Sequence, residues 1–354
     1  MRRIALAVLL GLVLPAPGRA QWETVFGPAR AELVTESGRL EAEPRSRERF
    51  SAACNVQIAG GRRFRVHAPD SDLLPFARRA GRFLALLWGI ADRRFGATCG
   101  RLRSQPVEVW LLRGGPAGAE QADRHLFVYD LLGPRTGVEW ARELAHEYGH
   151  WLLPGPSGYT EPESWANGLL GERLFLSWLL KDLEAGEIDA SEVPFVQAED
   201  LRHYHARQVE PLLRRAAAHG PDEALLARRD KRAMDAFTEL MLHVDSVCGG
   251  RALMDLLDYL PRGAAGALRG IDFLKAFTGW ASAQNPLVLT VPAGPATVYL
   301  PVGAVKADPG VRIWLSGAAP PPGLPAPAVI TRAGWHRVER PPGPATARIT
   351  ITRP

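Results

Sequence analysis

Apolar positions recur at helical spacing through Leu73–Phe95, where Phe76, Ala80, Phe83, Leu84, Leu87 and Ile90 form one side of a long amphipathic helix. Alternation typical of a strand precedes it at Phe64-Arg65-Val66-His67, and Val107–Leu112 and His125–Asp130 read as further strands. A second amphipathic helix is predicted over Val138–Trp151 and is stopped by Pro154-Gly155-Pro156. A third is expected from about Glu161 to Leu183, with Thr160 and Glu163 as a capping box. More helices follow at roughly 203–218, 232–247, 251–259 and 271–279, with Gly249-Gly250 and Pro261 as stops. Residues 21 to about 62 carry short apolar stretches, many charges and Gly60-Gly61, but no clear period.

From Asn285 the composition turns to Pro, Gly and alternating β-branched residues. Leu287–Val291, Thr297–Val302, Val311–Ser316, Val329–Arg332 and Ala347–Thr352 read as short strands of a small all-β, sandwich-like domain. The fold class is therefore α+β, with an N-terminal segment at 21–63, a mixed domain at 64–283 and a β domain at 284–354.

The predicted second helix contains His146-Glu147-Tyr148-Gly149-His150, an HExxH pattern. Histidines four residues apart lie one above the other on a helix, so two imidazoles can hold one zinc ion. The intervening Glu147 is placed to take a proton from water at that ion. Zinc sites that do chemistry usually have a third protein ligand. A histidine six positions past His150 is excluded, because Pro156 stands there. Glu161, Glu163 and Glu172 remain, 11, 13 and 22 positions beyond His150. Glu163 has a competing role as the capping acid. Glu172 is favoured, since Gly168 and Gly171 would let its helix approach the HExxH helix closely.

Other features narrow the setting. Met1-Arg2-Arg3, the apolar run Ile4–Leu14 and the small-residue end Pro17-Gly18-Arg19-Ala20 read as a cleavable signal peptide over residues 1–20. That predicts a secreted or periplasmic protein with no integral membrane segment. Losing Arg2, Arg3 and Arg19 lowers the formal charge of +5 by three, to +2, so no nucleic-acid partner is indicated. Arg93-Arg94 and the run Arg228–Arg232 read as solvated helix faces. Among Cys54, Cys99 and Cys248, export permits a disulfide, and Cys54–Cys99 is the preferred pair.

The order strand, long helix, strand, edge strand, HExxH helix, glutamate-bearing helix and helical lobe resembles the catalytic domain of the gluzincin metallopeptidases, over roughly residues 64–280. Trp165-Ala166-Asn167 looks like the Trp-x-Asn that often precedes the ligand glutamate of that family. The resemblance implies that His146 and His150 bind zinc and that Glu147 is the general base. It also departs from the pattern, because Gly168 follows Asn167 where the family has glutamate. Either the register shifts so that Glu172 or Glu163 binds zinc, or the site is impaired. His203, Tyr204, His205 and His243 lie in the helical lobe, where such enzymes keep an oxyanion donor. The expected function is zinc-dependent hydrolysis of a peptide or protein substrate bound along an edge strand near Leu126–Tyr129. The alternative is a binding or scaffolding protein on the same fold.

Overall fold

The computed structural model describes residues 23–26, 29–58, 61–96, 99–262, 268–292, 294–314, 328–340 and 346–353. The proposed signal peptide and the end of the strand expected at 311–316 lie outside them. Strands β1 (Glu23–Phe26), β2 (Ala29–Ala42), β3 (Arg49–Ile58) and β4 (Gly61–Ala68) lead into helix α1 (Leu74–Phe95). Strands β5 (Val107–Leu111), β6 (Gly118–Ala122) and β7 (His125–Tyr129) then complete, among the described residues, a seven-stranded sheet of order β1-β2-β3-β4-β5-β7-β6. β4, β5 and β7 run parallel, while β6 returns antiparallel along the outer side of β7.

The sheet is larger than the sequence pattern suggests, because β2 and β3 lack a clean alternation. β3 is buried on both faces over most of its length, so it shows no polar side. Charges on β2 are not a solvated stripe either. Glu41 pairs with Arg65 at 2.8 Å and with His67 at 2.9 Å. The outer strand also differs from expectation. Leu126–Tyr129 is an inner strand, and β6 forms the edge beside it. Gly118-Ala119-Glu120-Gln121-Ala122 has no β-branched or aromatic residue to reveal it.

Helix α2 (Gly137–Leu152) is closed at its start by a capping box of Thr136 and Glu139. Helix α3 (Asn167–Glu184) begins six residues later than the pattern predicts. The expected Thr160–Glu163 capping box does not form. Residues 157–165 make a short loop instead, with Ser157 bridged to Trp165 and the Gly158 N–H donating to the Ser164 carbonyl at 2.8 Å. Arg93 and Arg94, at the end of α1, both pair with Asp182 of α3, which is only 1% exposed. They are anchors between helices and not solvated charges.

The helical lobe continues through α4 (Ala198–Gln208), α5 (Glu210–His219), α6 (Glu223–Leu226), α7 (Lys231–Cys248), α8 (Gly250–Asp255) and α9 (Gly270–Ala283). The single helix expected at 203–218 is thus two, broken at Val209 before Pro211. The C-terminal region is all-β, as expected. It comprises β8 (Leu287–Val291), β9 (Gly294–Leu300), β10 (Gly303–Ala307), β11 (Arg312–Trp314), β12 (Ala328–Ile330), β13 (Gly334–Arg340) and β14 (Ala347–Thr352). These form a four-stranded sheet β12-β10-β14-β8 and a three-stranded sheet β11-β13-β9. Among the described residues no helix is long and apolar enough to cross a membrane.

Cys54 and Cys99 are thiols and do not form the expected disulfide; Cys248 is not bridged either. Cys54 packs beside Gly81 in the middle of α1, whereas Cys99 follows the end of that helix at Phe95. The intervening turns rise about 21 Å, and a disulfide needs Cα atoms within about 7 Å.

α2 and α3 touch through glycine. A methyl group on Gly171 would stand 2.3 Å from the Gly149 Cα, and one on Gly149 would stand 2.7 Å from the Gly171 Cα. The obstacle is backbone in both directions, so no side chain can yield. Gly171→Ala is expected to lower stability by about 1–3 kcal/mol through overpacking, read as a lower urea midpoint with an unchanged slope.

Candidate functional site

His146, Glu147 and His150 project from the last two turns of α2, and their ligand atoms lie within 4.8 Å of one another, a possible metal-binding triad. Each imidazole is oriented from α3. Asn167, the first residue of α3, places its Oδ1 2.8 Å from His150 Nδ1. Its Nδ2 donates to the carbonyls of His150 and Leu153 at 3.1 and 2.8 Å. Glu172 approaches His146 Nδ1 more loosely, at 3.4 Å. With each Nδ1 facing α3, both Nε2 atoms face a common space.

Glu163 reaches that space from the loop before α3. Its Oε2 is 2.8 Å from His146 Nε2 and 3.1 Å from His150 Nε2. Glu172, favoured on sequence as the third ligand, is placed differently. Its Oε1 accepts hydrogen bonds from Arg142 Nε and Tyr204 Oη, each at 2.7 Å, and its Oε2 meets only the Nδ1 side of His146. The geometry therefore gives Glu172 the part of an outer acid that orients an imidazole. Position 168 explains the exchange. A Cβ on Gly168 would lie 2.3 Å from His150 Nε2 and 2.4 Å from His146 Nε2. No side chain fits at position 168, so the carboxylate that completes the cradle of two imidazoles comes from Glu163 instead.

The charges in this cradle call for a cation. Burial disfavours a charged His146, but the carboxylates of Glu163 and Glu172 outweigh it and raise its pKa to about 10. Burial likewise opposes ionisation of Glu163, yet its hydrogen bonds with His146 and His150 hold it at about 2. The same balance, with His146, Arg142 and Tyr204 as partners, holds Glu172 at about 2. Glu147 has no such compensation. Burial pushes its carboxyl up to about 7 against the pull of the two histidines. Its Oε2 and the Glu163 Oε1 are buried with no hydrogen-bond partner. Two orphaned carboxylate oxygens beside two convergent imidazoles suit a divalent cation.

Two clefts meet at the histidines. One, of about 440 Å3, runs from His146, Glu147 and Glu163 towards Glu139 and Glu143. The other, of about 590 Å3, runs from His150 past Trp151 and Trp165 to Gln121 and Asp123 at the end of β6. Tyr204 is committed to Glu172, so it is not a free oxyanion donor. His203 lines a shallow groove beside Arg142 and Tyr204. His205 is partly buried on α4, and His243 lines a separate cavity. Arg142 went unnoticed in the sequence, although it lies one turn before His146 on the same face.

No protein-family model matches the chain, and no curated protein matches it.

The pKa shifts set a pH profile for the metal-free protein. The raised His146 stabilises the fold below its unfolded value of about 6.5, and that contribution is lost as pH rises towards 10. The lowered Glu163 and Glu172 contribute above about 4.5, and that is lost as pH falls towards 2. Glu147, raised from 4.5 to about 7, adds a decline that runs across about pH 4.5 to 7. Chelator-treated protein should therefore melt at its highest temperature near the acid end of the window from about pH 4.5 to 6.5. Added divalent metal should raise the melting temperature more as pH rises, because the ion and the proton compete for His146 Nε2.

Proposed function

We propose that this chain is an exported zinc-dependent metallohydrolase, a peptidase with a zincin-like domain of the gluzincin type and a sandwich-like C-terminal domain. Its third protein ligand comes from the loop before the glutamate-bearing helix. The observation that carries this reading is the Glu163 carboxylate, whose Oε2 lies within 3.1 Å of both Nε2 atoms. His146, His150 and Glu163 would hold the ion in the cradle above Gly168, which leaves a position for water and substrate. Zinc bound there supplies a Lewis acid that polarises a carbonyl group and acidifies water.

The chain's own groups do the rest. Glu147 Oε2, buried and unpartnered, takes a proton from the attacking water and passes it to the leaving amine. Its raised pKa, near 7, suits a group that must both accept and release that proton. Glu172, fixed by Arg142 and Tyr204, keeps the His146 ring turned with Nε2 towards the cradle. Asn167 does the same for His150. An extended peptide pairs with the exposed edge of β6 and crosses the site between the Glu143 and Trp165 clefts. The apolar leader at residues 4–14 supports export. Gly168 is the main feature that favours the alternative, an inactive binding protein. Glu163 at both imidazoles supports a complete set of ligands instead.

Zinc content after reconstitution and dialysis separates the ligands. Wild type should hold one zinc per chain, and Glu163→Ala should lose it. Glu172→Ala should bind about 10–100-fold more weakly, as an outer-shell change does. Zinc retained in Glu163→Ala but lost in Glu172→Ala would return the ligand role to Glu172, and a wild type that takes up no zinc overturns the proposal. Glu147→Gln should keep zinc yet lose at least about 100-fold in kcat on a labelled casein substrate, with KM little changed.

A further inference from the structure

One side of α7 faces a cavity of about 470 Å3 that α5 and α6 close from the other side. It shares no lining residue with the clefts at His146 and His150. Its volume falls in the range of small-molecule sites, about 300–1,000 Å3. Asp235, Glu239 and His243 stand four residues apart along α7, so three acceptors lie in one row down the cavity wall. Ala216 and Ala236 leave the space between the helices open.

His243 is the decisive group. It is 3% exposed, and its Nε2 has no hydrogen-bond partner. Burial pulls its pKa down to about 4, against a backbone hydrogen bond to Thr297 that favours the charged ring. The ring is therefore neutral near pH 7, with its proton on the Thr297 side and a bare lone pair at Nε2. A buried acceptor without a donor is rare and costly, so the site lacks a donor that a ligand can bring. Glu239, one turn along the same row, lines the cavity and accepts from Arg215 Nε at 3.0 Å. The lining carries three carboxylates, Asp222, Asp235 and Glu239, against the two guanidiniums of Arg215 and Arg232, so a cationic donor suits both this charge balance and the lone pair better than an anion.

We propose that this cavity binds a primary ammonium group on a short aliphatic stem. The ammonium donates to His243 Nε2 and faces Glu239, and the stem lies against Ala216, Ala236 and Leu240. Such a group is carried by a free alkyl amine or by a lysine side chain of a polypeptide.

Calorimetric titration of the full chain with 1,4-diaminobutane, acetyl-lysine amide and 1-butanol tests this. Saturable binding of either amine, weakened at least tenfold in His243→Leu and in the cavity-filling Ala236→Trp, with no binding of butanol, is the expected result. Tighter binding of the diamine identifies a free amine as the ligand; tighter binding of the lysine amide identifies a polypeptide side chain. The proposal is overturned if neither amine saturates the protein, if butanol binds as well as the amines, or if Ala236→Trp leaves the affinity unchanged. Ala236→Trp alone decides the matter should His243→Leu fail to fold, because position 236 is only partly buried.

Discussion

At the crossing of α2 and α3, Gly149 and Gly171 leave no room for a methyl group on either backbone. This contact sets the distance from which α3 addresses the imidazoles of α2. Asn167, Gly168 and Glu172 occupy the turns of α3 that flank Gly171, so one close approach delivers all three to their positions. Asn167 meets His150, Glu172 meets His146, and Gly168 comes so near both Nε2 atoms that no side chain fits there. A wider crossing would let a residue at 168 reach in as a ligand but would pull Asn167 and Glu172 away.

The three carboxylates around the histidines, two buried and Glu163 half-buried, are chemically alike and differ in their neighbours. Glu172 is saturated by Arg142 and Tyr204, so its charge is spent on orientation. Glu163 has only the two imidazoles as partners and keeps one oxygen unsatisfied. Glu147 has a buried oxygen without any donor and titrates highest of the three. Environment thus separates an orienting acid, a ligand-like acid and a base-like acid, the division of labour that pKa tuning produces within one site.

Much of the framework was legible because its signals are local. The helical period of α1 and the HExxH spacing on α2 depend only on neighbours along the chain, and both elements lie within a residue or two of where the pattern puts them. The alternation of β8 and β14 was equally clear. β2, β3 and β6 were not legible. β3 is buried on both faces, the charges of β2 pair across the sheet, and β6 has a composition that favours no strand. Thr160-x-x-Glu163 imitated a helix start closely enough to move the predicted boundary and to give Glu163 a capping role it does not have.

What the sequence determined by itself was the helical face carrying His146, Glu147 and His150, together with the small residues that allow a second helix to come close. Both follow from spacing along a single helix, where geometry is fixed by 3.6 residues per turn. Which glutamate faces the imidazoles was decided only by tertiary structure. Glu163 lies in a loop whose path is set by the Ser157–Trp165 bridge and the packing of α3, and no periodicity reports where such a loop carries a side chain.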